Sequence, residues 1–307
     1  MSSGYDIPAE FAGRLRIGTC SWKYDSWKGL VYEPDRRYRP DDYLPDYAKH
    51  LMTVEIDQWF WSLFATGARL PNPDAVRRYA DSVPDDFRFS VKAPNAITLT
   101  HFYGKQPTGS ARRTTEPNPH FLSVDLLNRF LETLVPMHGK LGPIMFQFEY
   151  LNKQKMPSMS AFLERLHAFF QEAPAGFQYA IETRNPNYLQ DEFLDFLRQR
   201  RLGYVLLNGY YMPRISEVAA QLDVRTAPFS IIRLHGPDRA EIEKQTGSMW
   251  NEIVEPKDDG LKATVDIIRR NLEKDVETYV NVNNHYEGSA PMTIRRLLDI
   301  LRQEPPR

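Results

Sequence analysis

Residues 178–188 read Gln-Tyr-Ala-Ile-Glu-Thr-Arg-Asn-Pro-Asn-Tyr, and this stretch has the composition of a buried strand that ends in charged groups. Its apolar half leads into Glu182 and Arg184, two positions apart, which places both side chains on one face of a strand. The Asn-Pro pair that follows favours a turn and ends the segment. Taken alone, the pattern fits a structural ion pair or a polar strand end as well as it fits a functional site.

Seven further segments have strand composition and alternate with segments of helical periodicity. The other predicted strands are residues 15–22, 53–60, 87–94, 142–149, 203–208, 229–236 and 277–285, and the predicted helices are 43–51, 73–83, 121–135, 160–171, 191–200, 215–222, 261–272 and 291–302. Eight strand–helix units without a linker predict an α/β fold, a single (β/α)₈ TIM-type barrel. An open doubly wound sheet is disfavoured, because no G-x-G-x-x-G follows the first strand.

Segments outside the repeats set the domain limits. Residues 1–13 form a polar leader, and residues 14–303 are expected to form the barrel domain. Two long polar loops follow strands three and seven, at 101–120 and 237–260, the second with room for a helical turn. Whether these loops act as lids is left open, as is the role of the Arg112-Arg113 pair in the first.

Bulk composition excludes several classes of protein. The 307 residues carry a net charge of -1, so we expect no extended nucleic-acid binding. The lone cysteine, Cys20, excludes an internal disulfide framework and fits a reducing compartment. The first residues lack the features of a signal peptide, and no apolar run is long enough to span a membrane. We therefore expect a cytoplasmic protein; its oligomeric state is not determined by the sequence.

The predicted strand ends collect polar and ionisable side chains, which in a barrel converge on one mouth. We predict Glu182, His235 and Glu55 as catalytic residues. The predicted substrate-binding residues are Lys92, Arg184, Arg233, Gln147, Asn208, Asn283, Trp22 and Trp59. So many polar strand ends favour a site over a solvated rim, because unpaired buried charge is costly.

Charge balance selects the chemistry of this site. Basic and acidic side chains nearly cancel at the strand ends, whereas a carboxylate-rich metal cage would leave surplus negative charge. The guanidinium groups instead favour a ligand with a phosphate or carboxylate group. A divalent metal stays open as an alternative, with His101, His235, His285 and Glu182 as candidate ligands, although their spacing forms no ligand motif. Cys20 is expected to be a packing residue rather than a nucleophile.

Aromatic side chains also gather at the first two strand ends. Trp22, Trp27, Trp59 and Trp61 lie there or in the loops that follow. Packing of these loops on the barrel is the simpler explanation. A stacking wall for a sugar or a base is the functional alternative.

Seven motifs in order resemble the YecE-like family, domain of unknown function 72, over residues 16–301. They are Ile-Gly-Thr-Cys-Ser-Trp at 17–22 with Trp-Lys-Gly at 27–29, Thr-Val-Glu-Ile at 53–56, Phe-Arg-Phe-Ser-Val-Lys-Ala-Pro at 87–94, Lys-Leu-Gly-Pro-Ile-Met-Phe-Gln-Phe at 140–148, Ala-Ile-Glu-Thr-Arg-Asn-Pro at 180–186, Arg-Leu-His-Gly at 233–236 and Asn-Asn-His at 283–285. The resemblance implies a TIM-type barrel, distantly similar to the xylose isomerase and endonuclease IV barrels, and brings no known reaction. Family members usually have serine in place of Cys20.

Three functions are compatible with these observations. The first is an enzyme that acts on a small anionic substrate, phosphorylated or sugar-like, with Glu182 as the leading general acid or base. The second is a metal-dependent phosphodiester hydrolase or isomerase, by analogy with the distant barrels. The third is a non-catalytic module that binds a small anion or a nucleic-acid end.

Overall fold

Eight parallel strands close on each other in the computed structural model, which describes residues 4–64, 66–102 and 116–303. Around the barrel the strands follow the order of the chain, and the first pairs with the last. They are β1 Leu15–Thr19, β2 Thr53–Ile56, β3 Arg88–Lys92, β4 Leu141–Gln147, β5 Tyr179–Glu182, β6 Gly203–Gly209, β7 Phe229–Gly236 and β8 Glu277–Val282. The predicted (β/α)₈ barrel is confirmed, and all eight predicted strands take part in it.

The strands are buried on both faces, as parallel strands covered by helices should be. All eight residues of β7 and all four of β5 are buried. Apolar side chains fill the lower part of the barrel interior, and they are Met145, Ala180, Val205, Phe229, Ile231 and Tyr279. This plug leaves polar chemistry to the carboxyl ends of the strands.

Helices cover the outside of the barrel. Those with eight or more residues are Pro73–Asp81, Val124–Leu134, Met159–Glu172, Asp191–Gln199, Arg239–Thr246, Asp258–Leu272 and Ala290–Gln303, and shorter ones span Tyr43–Tyr47, Asn95–Thr98 and Ile215–Gln221. The helix predicted from residue 121 starts three residues later, because Ser123 caps it by accepting a hydrogen bond from Leu126 N at 3.2 Å. None of the helices in the described ranges is long and apolar enough to cross a membrane.

The two long loops differ in what can be said of them. The stretch after β7 contains a helix of eight residues, Arg239–Thr246, where the sequence predicts at most a helical turn. Asp238 caps its start and Gly247 ends it with a φ of +58°. The other loop, predicted at 101–120 and including Arg112-Arg113, lies largely outside the described residues.

Strands β1 and β2 approach closely at one glycine. A Cβ atom at Gly18 would lie 1.9 Å from the carbonyl oxygen of Thr53, far inside van der Waals contact. Because that oxygen belongs to the backbone of β2, no side-chain rotation can relieve the clash. Gly18 therefore sets how near β2, which carries Glu55, lies to β1.

Replacing Gly18 by alanine should destabilise the protein by about 2–4 kcal/mol, because the methyl group must push the β2 backbone away. Thermal unfolding followed by circular dichroism measures the change. Gly139→Ala is the matched control, since nothing lies within 4 Å of a Cβ at that position. Equal melting temperatures for the two variants would contradict the close β1–β2 contact.

Candidate functional site at the barrel mouth

A buried guanidinium group stands at the centre of the strand ends. Arg233 of β7 donates from Nε to Glu55 Oε2 at 2.8 Å and from Nη2 to Glu55 Oε1 at 2.7 Å. Its Nη1 donates to Glu182 Oε2 and to Gln147 Oε1, the latter at 3.2 Å. Arg233, Glu55 and Glu182 have no exposed side-chain surface. The guanidinium fork therefore joins β7 to β2, β4 and β5 across the barrel interior.

Two further cations, Lys92 and Arg184, pair with the same carboxylates. Together with Arg233, Glu55 and Glu182 they form what we call the ion network. Lys92 Nζ lies 3.2 Å from Glu55 Oε1, and Arg184 Nε and Nη2 lie 2.7 and 2.6 Å from Glu182 Oε1. The side chains of Lys92 and Arg184 keep 11% and 16% of their surface exposed, whereas the two carboxylates keep none. The network thus presents its positive groups, not its negative ones, to the mouth.

The network controls protonation of its own members. Burial on its own raises the pKa of Glu182, but the guanidinium groups of Arg184 and Arg233 outweigh it and lower that pKa to about 2. Burial disfavours the charged form of Arg233, yet Glu182 and Glu55 raise its pKa well above the usual value. Glu182 is therefore an anion at neutral pH and holds no proton to donate.

His235 lies beside the network and is held from both sides. Its Nε2 lies 3.5 Å from Cys20 Sγ, and its Nδ1 lies 3.3 Å from the hydroxyl of Tyr210. Burial lowers the pKa of His235 well below 6.5, and the charges of Arg233 and Lys92 lower it further. The imidazole is neutral, so it can accept a proton or a hydrogen bond.

Tyr210 and Asp57 belong to this region although neither was among the predicted site residues. The ring of Tyr210 lies beneath the Arg184 guanidinium, 4.2 Å from its Cζ, and its backbone has a φ of +53°. Burial raises the pKa of the half-buried Asp57, with Lys92 opposing and Glu55 adding to the shift. In the sequence, the position of Asp57 two residues after Glu55 on the predicted strand indicated that it belongs to this region. Nothing in the sequence pointed to Tyr210.

Polar atoms without hydrogen-bond partners among the described residues lie beside the network. Both amide atoms of Asn281 and the hydroxyl of Ser90 are buried with no hydrogen-bond partner among the described residues. Asn281 is the register partner of Arg233, and Ser90 is that of Glu55. The polar region therefore includes these neighbouring positions beside the network.

Asn208 and Asn283, two of the predicted residues, make their contacts apart from the network. Asn208 donates to the hydroxyl of Tyr286 at 3.0 Å. Asn283 accepts from the backbone N–H of His285 at 3.0 Å and contacts its Nδ1 at 2.5 Å, while Glu243 holds the other ring nitrogen at 3.1 Å. These contacts stabilise the loops after β6 and β8.

The remaining predicted residues pack elsewhere. Trp22 and Trp59 both pack on Tyr79, and their ring centroids lie 5.3 and 5.9 Å from that of Tyr79. They therefore pack against a helix rather than line the network. His101 contacts the hydroxyl of Thr100 at 2.9 Å. Of the predicted site residues, those brought together are Glu55, Lys92, Gln147, Glu182, Arg184, Arg233 and His235.

Among the described residues, the only cluster with metal-ligand chemistry is Cys20, Glu55 and His235, whose donor atoms lie within 4.8 Å of one another. It does not contain the predicted ligands His101, His285 or Glu182. Glu55 is already bound by Arg233 and Lys92, which a divalent cation would have to face at close range in a buried site. Burial, with the charge of Glu55, also raises the pKa of the Cys20 thiol. These residues do not fit a resident divalent cation.

Comparison with known proteins identifies relatives of this chain. The family model "Protein of unknown function DUF72" matches residues 16–307. The UPF0759 protein YecE of Escherichia coli (strain K12) is 25% identical over 201 residues, and the match spans 64% of this chain and 59% of the relative. The chain thus covers less than two thirds of that curated relative's length.

Solved structures extend the comparison. A DUF72 family protein from Thermotoga maritima superimposes with a TM-score of 0.64 at 20% identity, covering 94% of this chain and 99% of the other. A DUF72 family protein from Enterococcus faecalis gives a TM-score of 0.63 at 20% identity, covering 94% and 95%. At this identity the likeness shows a shared fold.

Replacing Arg233 by methionine should destabilise the protein by about 3–5 kcal/mol, because two buried carboxylates lose their shared cation. Chemical denaturation at pH 7 measures the change. Arg129→Met is the control, since Arg129 pairs at 3.8 Å with an exposed Asp125, a contact worth at most about 1 kcal/mol.

The same experiment has a pH dependence of known sign. Folding lowers the pKa of Glu182 from 4.5 to about 2. The contribution of Glu182 to the stability of the folded state is therefore fully present above pH 4.5 and is lost as the pH falls toward 2. The difference in the free energy of unfolding between the wild type and Arg233→Met should therefore become smaller as the pH falls from 4.5 toward 2. An Arg233→Met protein as stable as Arg129→Met at pH 7 would contradict the network.

Proposed function

The chain belongs to the DUF72 family, and we propose that its barrel mouth binds a small anionic molecule. We further propose that side chains at the mouth transfer a proton to or from this molecule. The observation that carries this proposal is the layering of charge in the ion network. Glu55 and Glu182 are fully buried, whereas Lys92 and Arg184 keep part of their surface open to the mouth. An incoming ligand would meet cationic donors first, which favours a phosphate or carboxylate group.

Counting charges supports the same conclusion. Three cations, Lys92, Arg184 and Arg233, share two carboxylates, those of Glu55 and Glu182. The network by itself carries one surplus positive charge. The third acid of this region, Asp57, has a raised pKa and is easier to neutralise than Glu182, whose pKa is lowered. With Asp57 neutralised, one negative charge on a ligand would balance the network.

Proton transfer would fall to His235 and Asp57. His235 is neutral, and the Tyr210 hydroxyl at Nδ1 fixes the orientation of its ring. Asp57 has a raised pKa, while that of Glu182 is lowered, so the two carboxyl groups are suited to different tasks. A general acid or base needs a pKa nearer the working pH than about 2.

Glu182 then has a positioning role. It holds Arg184 through one oxygen and Arg233 through the other. The sequence favours Glu182 as the leading acid or base; the proposal moves that role to His235 and keeps Glu182 as the group that orients the cations. Glu55 serves in the same way for Lys92 and Arg233.

Binding of inorganic phosphate and of acetate, measured by calorimetry at low ionic strength, tests the anion site. Lys92→Met and Arg184→Met should each weaken binding about tenfold or more, because each removes one charged donor while Arg233 still holds both carboxylates. Lys274→Met is the control, since Lys274 is exposed and precedes β8 at the opposite end of the barrel. Equal affinities in all three variants would exclude this site.

Catalysis is tested separately from binding. Protein incubated with a mixture of small phosphate esters and carboxylates should convert a member of it, detected by mass spectrometry. His235→Gln should bind phosphate as the wild type does but lose conversion. Because the pKa of His235 lies below 6.5, wild-type conversion should persist below that pH. A ligand that binds and is recovered unchanged would favour a binding module instead.

A further inference from the structure

A cavity of about 260 Å³ opens beside the ion network. Phe60, Trp61 and Phe148 form its apolar walls, and Asn95, Gln147 and Arg184 supply polar groups. Its volume lies below the usual range for drug-sized ligands, about 300–1,000 Å³, which limits the occupant to little more than one ring. Arg184 belongs both to this cavity and to the proposed anion site, so one ligand can occupy the two together.

The walls favour a flat ring. Trp61 keeps 50% of its surface exposed, an unusual exposure for so large an apolar side chain. It packs edge-on against Phe60 with ring centroids 5.2 Å apart, and Lys92 Nζ lies 5.4 Å from the Phe60 ring. Across the cavity, Tyr210 supports the guanidinium of Arg184. Aromatic faces and a guanidinium plane are the surfaces on which planar rings stack.

Two polar side chains of the cavity, Asn95 and Gln147, offer unused donors. Asn95 is fully buried, and its Oδ1 accepts from the backbone N–H groups of Ser62 and Leu63, both at 2.9 Å. This fixes the amide so that Nδ2 is the free end, and Nδ2 has no partner among the described residues. Gln147 accepts from Arg233 through Oε1, which leaves its amino group able to donate. A buried donor without an acceptor is unfavourable, so the cavity is suited to a ligand rich in acceptors.

A sugar ring fits this lining less well. Each sugar hydroxyl both donates and accepts, and the carboxylate that lines the cavity, Glu149, is already held by Lys155 and by Thr100 at 3.4 Å. Apart from the Tyr210 hydroxyl, which lies 3.3 Å from His235 Nδ1, the other walls are apolar or donors. Few acceptors are therefore left for hydroxyl groups.

Resting on the anion site proposed above, we infer that the ligand is a single planar ring that bears a carboxylate or phosphate group. The ring lies against Phe60 and Trp61, and the anionic group contacts Arg184 and Lys92. Acceptor atoms on the ring or its substituents meet the amide donors of Asn95 and Gln147.

Calorimetric titration with benzoate, cyclohexanecarboxylate, acetate and glucose 6-phosphate tests this inference. Benzoate should bind about tenfold tighter than acetate, since a stacked ring contributes on the order of one such factor or more. It should also bind tighter than the non-planar cyclohexanecarboxylate. In Trp61→Ala the advantage of benzoate should fall while acetate binding stays unchanged. Tyr211→Ala, which removes an aromatic side chain that is 94% exposed, should leave both unchanged.

The outcomes separate the two proposals. If acetate and benzoate bind equally, or if Trp61→Ala leaves the preference intact, the ring cavity is overturned and the anion site stands. If glucose 6-phosphate binds tighter than benzoate, a sugar phosphate replaces the planar ring as the ligand class. If none of the four binds, the anion site itself fails and the inference fails with it.

Discussion

A single buried guanidinium group, that of Arg233, is the interaction on which the site depends. Moving a charge out of water is costly, and a buried ion persists only where its partners compensate it. Arg233 is compensated by the two oxygens of Glu55, one oxygen of Glu182 and the amide oxygen of Gln147. These partners come from three strands that are not neighbours of β7. The position of each strand end therefore depends on the others.

This arrangement has a consequence for chemistry at the mouth. Because Arg233 holds the carboxylates beneath, the outer cations Lys92 and Arg184 are oriented without being fully neutralised by exposed acids. The same positive charges help keep His235 neutral. The proposed anion recognition and the neutral imidazole thus have one physical cause. The cluster of Cys20, Glu55 and His235 resembles a metal site in distance alone, since these cations oppose a dication there.

The sequence predicted the barrel and the core of the network because both follow from simple periodicities. Glu182 and Arg184 lie two residues apart after a buried run, and parallel strands bring such ends to one mouth. Asn208 lies apart from the network because successive side chains of a strand point to opposite faces. Leu207 is in register with Arg233, so Asn208 points to the other face, where it binds Tyr286.

Other residues depend on tertiary packing that no local pattern reports. Trp22 and Trp59 converge on Tyr79, a residue of the helix Pro73–Asp81. Tyr210 reaches His235 and Arg184 from a left-handed backbone conformation that is rare for a residue other than glycine. Its role follows from three-dimensional contacts alone.

Selenate, whose selenium scatters X-rays anomalously, offers the most direct test of the charge layering. Crystals soaked in it should show an anomalous peak within hydrogen-bond reach of Lys92 Nζ and the Arg184 guanidinium; peaks confined to other surface cations would contradict the account.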